Sequence, residues 1–271
     1  MIFFIQRIDK NPGDFWSSPR HYFSFPRCAL IDILDIDSLK KIPYGSKCIV
    51  GGGGLIKQIF APSLHILKQK KCRIVFWGIG ERLNQDLDNG WIAPIKKQAI
   101  HPEMFHHTLH LTSFRSLEPG IEWIPCASCN HPIFDKYNHT SSSSIKIFSH
   151  KKVPINNEQD FPLLINDPVS LDKCIKFISD AEILITNSYH GMYWSYLLGI
   201  PTICIPFSSG HYSFVEEVYY SKPDEIGNSI IHLQKMISTT NYDRRGLSDK
   251  RKMYHRIKSR NFYKKAINFL K

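Results

Sequence analysis

Imidazole, guanidinium, carboxylate and amide side chains set beside glycines are the raw material of proton transfer and anion binding. In this sequence they gather just after short apolar runs. His190 is the clearest case: it stands in Thr186-Asn187-Ser188-Tyr189-His190-Gly191, between the strand-like EILIT and the helix-like GMYWSYLLG. At a strand-to-helix junction an imidazole lies near the positive end of a helix dipole, where it can hold an anion or exchange a proton near neutral pH. His150 comes after the run IKIFS in the same way, and Phe207-Ser208-Ser209-Gly210-His211 come after TICIP.

The first half repeats the arrangement. Asn11-Pro12-Gly13-Asp14 and then Ser17-Ser18-Pro19-Arg20 succeed the opening apolar run; Gly51 to Gly54 succeed KCIV; Gly78-Ile79-Gly80-Glu81-Arg82 succeed RIVFW. Glycines after a strand let backbone approach a ligand and offer N–H groups to an anion. Arg82 adds a potential fork for phosphate or carboxylate, and Arg20 a cation beside the end of the first strand. VGGGGLIKQ is neither G-x-G-x-x-G nor a P-loop with its lysine-serine pair, which argues against dinucleotide and P-loop binding. Cys126-x-x-Cys129 beside His131 lacks a second ligand pair for zinc, and its proline-flanked setting is not that of a redox pair. No metal and no cofactor are expected.

The elements that would hold these residues can be read from periodicity. Short β-branched runs (MIFFIQRI, CALIDIL, KCIV, RIVFW, MFHHTLHLTSF, IEWIPC) alternate with amphipathic stretches such as IKQIFAPSLHILKQK, which predicts a mainly parallel sheet with helices on both faces. After KYNHTSSSS comes a second set: IKIFSH, FPLLIND, SLDKCIKFISDA, EILITN, GMYWSYLLG, PTICIPF, then helices to the end. The fold expected is α/β, with two Rossmann-like doubly wound domains over residues 1–137 and 145–271, a linker at 138–144, and a central cleft where the strands' carboxyl ends meet.

Composition bounds the function classes. With 271 residues, 42% hydrophobic and 13% aromatic, the chain can bury large cores and is neither a disordered protein nor a small disulfide scaffold. Seven cysteines scattered in apolar runs suit free thiols in a reducing, cytoplasmic setting. No apolar run is long enough to span a bilayer, and MIFFIQRIDK reads as a first strand rather than a secretory signal. The net charge of +11 implies an acidic partner. Part of it lies in DRRGLSDKRKMYHRIKSRNFYKKAINFLK, expected to bury Met253, Ile257, Phe262, Ile267 and Leu270 and face its bases outward. Peripheral contact with the inner face of an anionic membrane is one expectation for that segment; nucleic acid is not expected, because no RNA-binding signature is present.

Taken together, NPGD, IVGGGGLI, FWGIG, the arginine of LTSFRS and the block DAEILITNSYHGMYWSYLLGIPTI resemble the polysaccharide pyruvyl transferase family. That resemblance implies a GT-B-like two-domain transferase that moves pyruvate from phosphoenolpyruvate to two hydroxyls of a glycan, or of its lipid-linked precursor, as a cyclic ketal. It places His190 near the donor, with Asn11, Gly13, Asp14 and Gly52, Gly53 and Gly54 on the facing wall. Such chemistry needs an acid for the methylene carbon, cations for carboxylate and phosphate, and a base for the hydroxyl. His190, His150 and Asp14 are the catalytic candidates. Arg20, Arg82 and Arg115 are the cations, and Ser18, Gly78, Gly80, Asn187, Ser188, Tyr189, Gly191, Phe207, Ser208 and Ser209 complete the binding rim.

The sequence departs from the family at two places. Ser188-Tyr189 stand where the family carries Arg-Leu before His-Gly, and Ser116 succeeds Arg115 where an aspartate is common. The lost arginine keeps a second reading open, a metal-independent glycosyltransferase using a nucleotide-activated sugar in surface polysaccharide biosynthesis. A third is a glycan-assembly binding protein without catalysis.

Overall fold

The computed structural model describes residues 1–8, 11–80, 105, 108–137, 144–212, 214 and 218–271. Two sheets form from the apolar runs. In the first are β1 (Ile2–Gln6), β2 (Cys28–Asp32), β3 (Lys47–Gly51), β4 (Arg73–Ile79), β5 (His110–Phe114) and β6 (Glu122–Trp123), ordered β2-β1-β3-β4-β5-β6. In the second are β7 (Ile145–Ser149), β8 (Leu163–Ile165), β9 (Ile183–Thr186), β10 (Thr202–Cys204) and β11 (Tyr219–Tyr220), ordered β11-β10-β9-β7-β8. Every pairing between these strands is parallel. The helices are α1 (Pro12–Trp16), α2 (Ile36–Lys41), α3 (Ala61–Gln69), α4 (Ile133–Lys136), α5 (Leu171–Ser179), α6 (Tyr189–Leu197), α7 (Ser209–Tyr212), α8 (Ile226–Thr239) and α9 (Arg244–Phe269).

The α/β class expected from the alternation is what forms, and the two sheets share one winding. Each places its second strand outside the first and continues on the other side, the 2-1-3-4-5 order of doubly wound folds rather than the 3-2-1-4-5-6 order of the dinucleotide-binding type. Strand order therefore reverses between β1 and β3 and again between β7 and β9. Connections leave in opposite directions at such points and open a crevice at the strands' carboxyl ends, where ligands of open α/β sheets bind.

Alternation along the strands builds a core on each face. On the first sheet, Ile5, Val50, Phe76 and Phe114 pack with Leu39 of α2 and Leu64 and Leu67 of α3, while Phe4, Ile49, Val75 and Trp77 face the other way. On the second, Phe148 and Leu184 pack with α5 and α6, and Ile147, Ile185 and Ile203 with Ile230 and Leu233 of α8. α9 covers the open face of the first sheet: the Phe262 ring meets Trp77 edge-on at 4.9 Å, and Ala266 and Leu270 are buried beside it. Burial of one such aromatic ring contributes about 1.5–3 kcal/mol.

Several expectations need correction. The helix predicted from Ile56 starts at Ala61, because Pro62 lacks an N–H and fits only the first helical turn. Gly78 lies inside β4 rather than after it, at φ +52° where the register with β5 shifts. The strand read across Met104–Phe114 is confined to His110–Phe114 among the described residues. Met253 and Ile257 of α9 are exposed, not buried, whereas Phe262 and Leu270 are buried as expected. The inward stripe is Ser248, Lys252, His255, Ser259, Phe262 and Ala266. Its polar members have their own partners, Ser248 on the Leu197 carbonyl at 2.8 Å and Lys252 on the Phe134 carbonyl at 3.2 Å. Residues 138–143 of the expected linker, and Arg82, lie outside the described residues. No helix among the described residues is long and apolar enough to cross a membrane.

Candidate functional site

α1 begins the site. Asn11 caps it, its Oδ1 accepting the Gly13 N–H at 2.9 Å, and Pro12 occupies the first turn. α6 provides the other side. Ser188 is its N-cap and accepts the Gly191 N–H at 3.4 Å, which leaves His190 in the first turn without a capping duty. The two helices approach each other where the His190 ring lies over Gly13.

The glycines do something other than admit a ligand. A Cβ on Gly13 would lie 2.6 Å from Cγ of His190, and one on Gly80 would lie 2.8 Å from Cζ of Arg115. At Gly52 (φ +89°) it would meet Ser17, and at Gly53 (φ +83°) it would lie 2.9 Å from Oδ1 of Asp14. The space that the sequence reading assigns to substrate is thus filled by the protein's own polar side chains. Gly54 alone of Gly52 to Gly54 lines the cavity that results.

That cavity has a volume of about 240 Å³ and opens at the carboxyl ends of both sheets. Of the residues singled out in sequence, Asn11, Asp14, Arg115 and Gly54 reach it from the first half, and His150, Ser188, Tyr189, His190, Phe207 and Ser208 from the second. Gly13 and Gly80 support it from behind. Ser18, Arg20, Gly78 and Gly191 do not line it. Ser18 is fully buried, Arg20 sits in a short 3-10 turn at Pro19–His21, Gly78 lies against the Ile124 carbonyl, and Gly191 lets α6 pack on Thr186 and Phe148. Ser209 opens α7. Asn187 works from beneath: its Oδ1 accepts the His150 N–H at 2.7 Å, its Nδ2 donates to the Val153 carbonyl, and its own carbonyl meets His211 Nε2 at 3.0 Å.

Electrostatics centre on Arg115 and His190. Arg115 is buried, its guanidinium carbon lies 3.6 Å from the centre of the Tyr189 ring, and its Nη1 has no hydrogen-bond partner among the described residues. A cation over an aromatic face is held by the ring quadrupole, which positions the group without consuming its donors. His190 is 7% exposed, and burial first, then the Arg115 charge, hold its pKa well below the ordinary value, so the imidazole is neutral. His150 is also buried; its Nδ1 accepts the Lys152 N–H at 3.2 Å, which leaves the proton of the neutral ring on Nε2. Ser188 caps α6 and accepts from the Asn166 Nδ2 at 3.2 Å, and the cation beside the histidine is Arg115 of the first half.

Sequence reasoning missed Arg7, Lys57, Lys151, Lys152 and Asn166, all of which line the cavity, as does His211 of the stretch after TICIP. Arg7 pairs with Asp32, and Lys151 pairs with Asp167 at 3.2 Å. Each stands just after a strand or turn, and that position was the available signal. Cys126 was weighed only as half of a Cys-x-x-Cys pair. Its Sγ lies 3.7 Å from His190 Nε2 and 3.2 Å from Ser128 Oγ, whereas Cys129 turns away toward Asn130. Burial raises the Cys126 thiol and pushes Cys129 to about 12, which suits neither a thiolate nucleophile nor a ready metal ligand. Among the described residues no group of three or more His, Cys, Asp or Glu has the spacing to hold a metal.

Residues 118–209 match the family model of polysaccharide pyruvyl transferases. This span carries His150 and the Asn187 to Gly191 block, and it supports the family read from the sequence motifs. No curated protein is significantly similar to the chain. A crystal structure of a functionally uncharacterised protein from Klebsiella pneumoniae subsp. pneumoniae NTUH-K2044 aligns with a TM-score of 0.49 at 14% identity, covering 82% of this chain and 92% of that one.

Proposed function

We propose that this chain transfers pyruvate from phosphoenolpyruvate to two hydroxyls of a surface glycan or its lipid-linked precursor. The observation that carries the reading is the pairing, inside one small cavity, of a buried neutral imidazole with a buried guanidinium whose Nη1 is unpartnered among the described residues. Unsatisfied buried donors are rare in folded proteins, and Arg115 also lines the cavity, where a guanidinium suits a carboxylate or phosphate. The cavity, about 240 Å³, is below the range of about 300–1,000 Å³ usual for drug-sized ligands, which favours a three-carbon phosphate over a nucleotide sugar.

In this reading Arg115 holds the donor's carboxylate or phosphate, and the donor's negative charge raises the His190 pKa so that the ring takes up a proton. His190 then delivers that proton to the methylene carbon, which becomes the methyl group while C2 becomes electrophilic. One glycan hydroxyl adds to C2 and gives its proton to a base, for which Asp14 and His150, both lining the cavity, are the candidates. The second hydroxyl adds as phosphate departs with the remaining proton, closing the ketal. Because burial and the Arg115 charge hold His190 neutral, in this reading the donor itself loads the acid.

One observation favours the glycosyltransferase alternative. A second cavity of about 530 Å³ is lined by Asn187, by Ile147, Ile185 and Ile205, and by the amide side chains Asn156, Asn157 and Gln159. Its size suits a nucleotide. Thermal shift with phosphoenolpyruvate against CMP-, UDP-, GDP- and dTDP-sugars separates the readings, because a ligand that binds only the folded state raises the melting temperature. Stabilisation by phosphoenolpyruvate that disappears in Arg115→Met supports pyruvyl transfer. Stabilisation by one nucleotide sugar alone replaces it with glycosyl transfer, and a response to neither leaves the binding-protein reading.

A further inference from the structure

We infer that the outward face of α9 is a docking surface for an anionic lipid bilayer. Lys250, Met253, Ile257, Arg260 and Lys264 succeed one another at spacings that keep them on one side of a helix, opposite the buried stripe from Ser248 to Ala266. All five are exposed, Met253 at 61% and Ile257 at 48%. Tyr254, 47% exposed, flanks them and stacks on Trp123 at 6.2 Å, so an aromatic pair borders the apolar centre.

Charge complementarity selects the occupant. No aspartate or glutamate occurs between Lys250 and Lys271. The nearest acids are already engaged: Asp249 with Lys252 at 3.1 Å, Asp135 with Arg256 at 2.9 Å, and Glu122 with Lys265 at 2.9 Å. What remains outward is cationic with two aliphatic side chains at its centre. An interfacial helix has this composition, its bases meeting lipid phosphates while the apolar side chains enter the acyl boundary. A nucleic acid uses the bases but gains nothing from Met253 and Ile257. The Tyr254–Trp123 stack also ties the face to the cavity, since Trp123 Nε1 donates to the Arg115 carbonyl at 3.1 Å.

The test is cosedimentation of the full chain with phosphatidylcholine vesicles with and without phosphatidylglycerol, at low and high salt. Binding is expected only to the anionic vesicles and is weakened by salt. At about fivefold in partitioning per basic residue, the triple variant Lys250→Glu, Arg260→Glu and Lys264→Glu loses about 100-fold or more. Met253→Ser with Ile257→Ser loses affinity while keeping the wild-type salt dependence. All of these positions are exposed, so unchanged melting temperatures confirm that the variants fold. Absence of wild-type binding to anionic vesicles at low salt overturns the inference, as does binding that both variants retain. Competition by a DNA duplex that matches the vesicles in affinity and ignores Met253→Ser with Ile257→Ser assigns the face to nucleic acid. A wild-type dimer dispersed by the serine variant assigns it to a second copy.

Discussion

Gly13 and His190, 177 positions apart in sequence, share one space: the imidazole lies where a side chain on Gly13 would have to be, with Cγ only 2.6 Å from the absent Cβ. The first turn of α1 and the first turn of α6 are therefore fitted to each other, and the glycine of Asn11-Pro12-Gly13-Asp14 is a seat for the histidine.

Gly13→Ala is expected to destabilise the protein by about 1–3 kcal/mol through overpacking and to abolish turnover by displacing His190. Adding His190→Ala should recover most of the lost stability but none of the activity. Chemical denaturation of the two single variants and the double variant measures the coupling, and strictly additive costs would show that the contact is not what excludes a side chain at position 13.

Acid should destabilise the chain through His190. The folded pKa lies below the ordinary value near 6.5, so the unfolded chain binds a proton that the folded chain refuses. Stability from this group is present above pH about 6.5 and is lost as pH falls toward the folded pKa. Melting temperature measured from pH 7.5 to 5.5, flanking values of about one unit either side of the histidine reference, should fall less steeply in His190→Gln than in wild type. Identical slopes would place the acid sensitivity elsewhere, for example at His21 and His131, whose pKa values burial also lowers.

Arg115→Met removes the cation beside His190 and should weaken phosphoenolpyruvate by about 10- to 150-fold, the range of one hydrogen-bonded charge. It should also move the His190 titration upward, because the Arg115 charge lowers it in the wild type. Calorimetry in buffers of differing ionisation enthalpy reads both quantities; an unchanged affinity would remove Arg115 from the donor site.

Asn187 joins the backbone of the His150 segment to the turn before α6 through buried hydrogen bonds. Asn187→Ala leaves the His150 N–H and the Val153 carbonyl without these partners, at a cost of about 1–3 kcal/mol. Urea denaturation should show the full loss. A variant as stable as wild type would mean that water replaces the amide.

Thiol accessibility checks the packing around the site. Cys28 is exposed and the other six free cysteines are buried. A chromogenic thiol reagent should therefore find one fast site in the native protein and the remainder only on unfolding. Fast loss of Cys126 would show that the ground beneath His190 opens to solvent.

Much of this was legible in the linear sequence because strands and the turns after them are local. Alternating apolar runs located the strands within a few residues, and the polar residues after each strand already included Asn11, Asp14, His150 and His190 before any contact was known, whereas Arg115 was marked by the family resemblance. Parallel winding sends every strand's carboxyl end to one edge, so those residues also marked out one rim. Residues outside such junctions were harder. Met253 and Ile257 read as core because an apolar side chain in an amphipathic pattern usually is, yet buried partners for Lys252, His255 and Ser259 gave the inward face to polar groups.

The α/β class, the existence of a polar rim and the identity of its histidine were set by the linear sequence alone, since each arises from periodicity and from the residue types at chain turns. The uses of those residues belong to the folded chain. Only packing shows that Gly13 and Gly80 make room for His190 and Arg115, that Ser188 caps a helix while Arg115 brings the charge from the other half of the chain, and that burial and this charge hold the histidine neutral. Burial, desolvation and contact between distant segments arise on folding, and no spacing along the sequence encodes them.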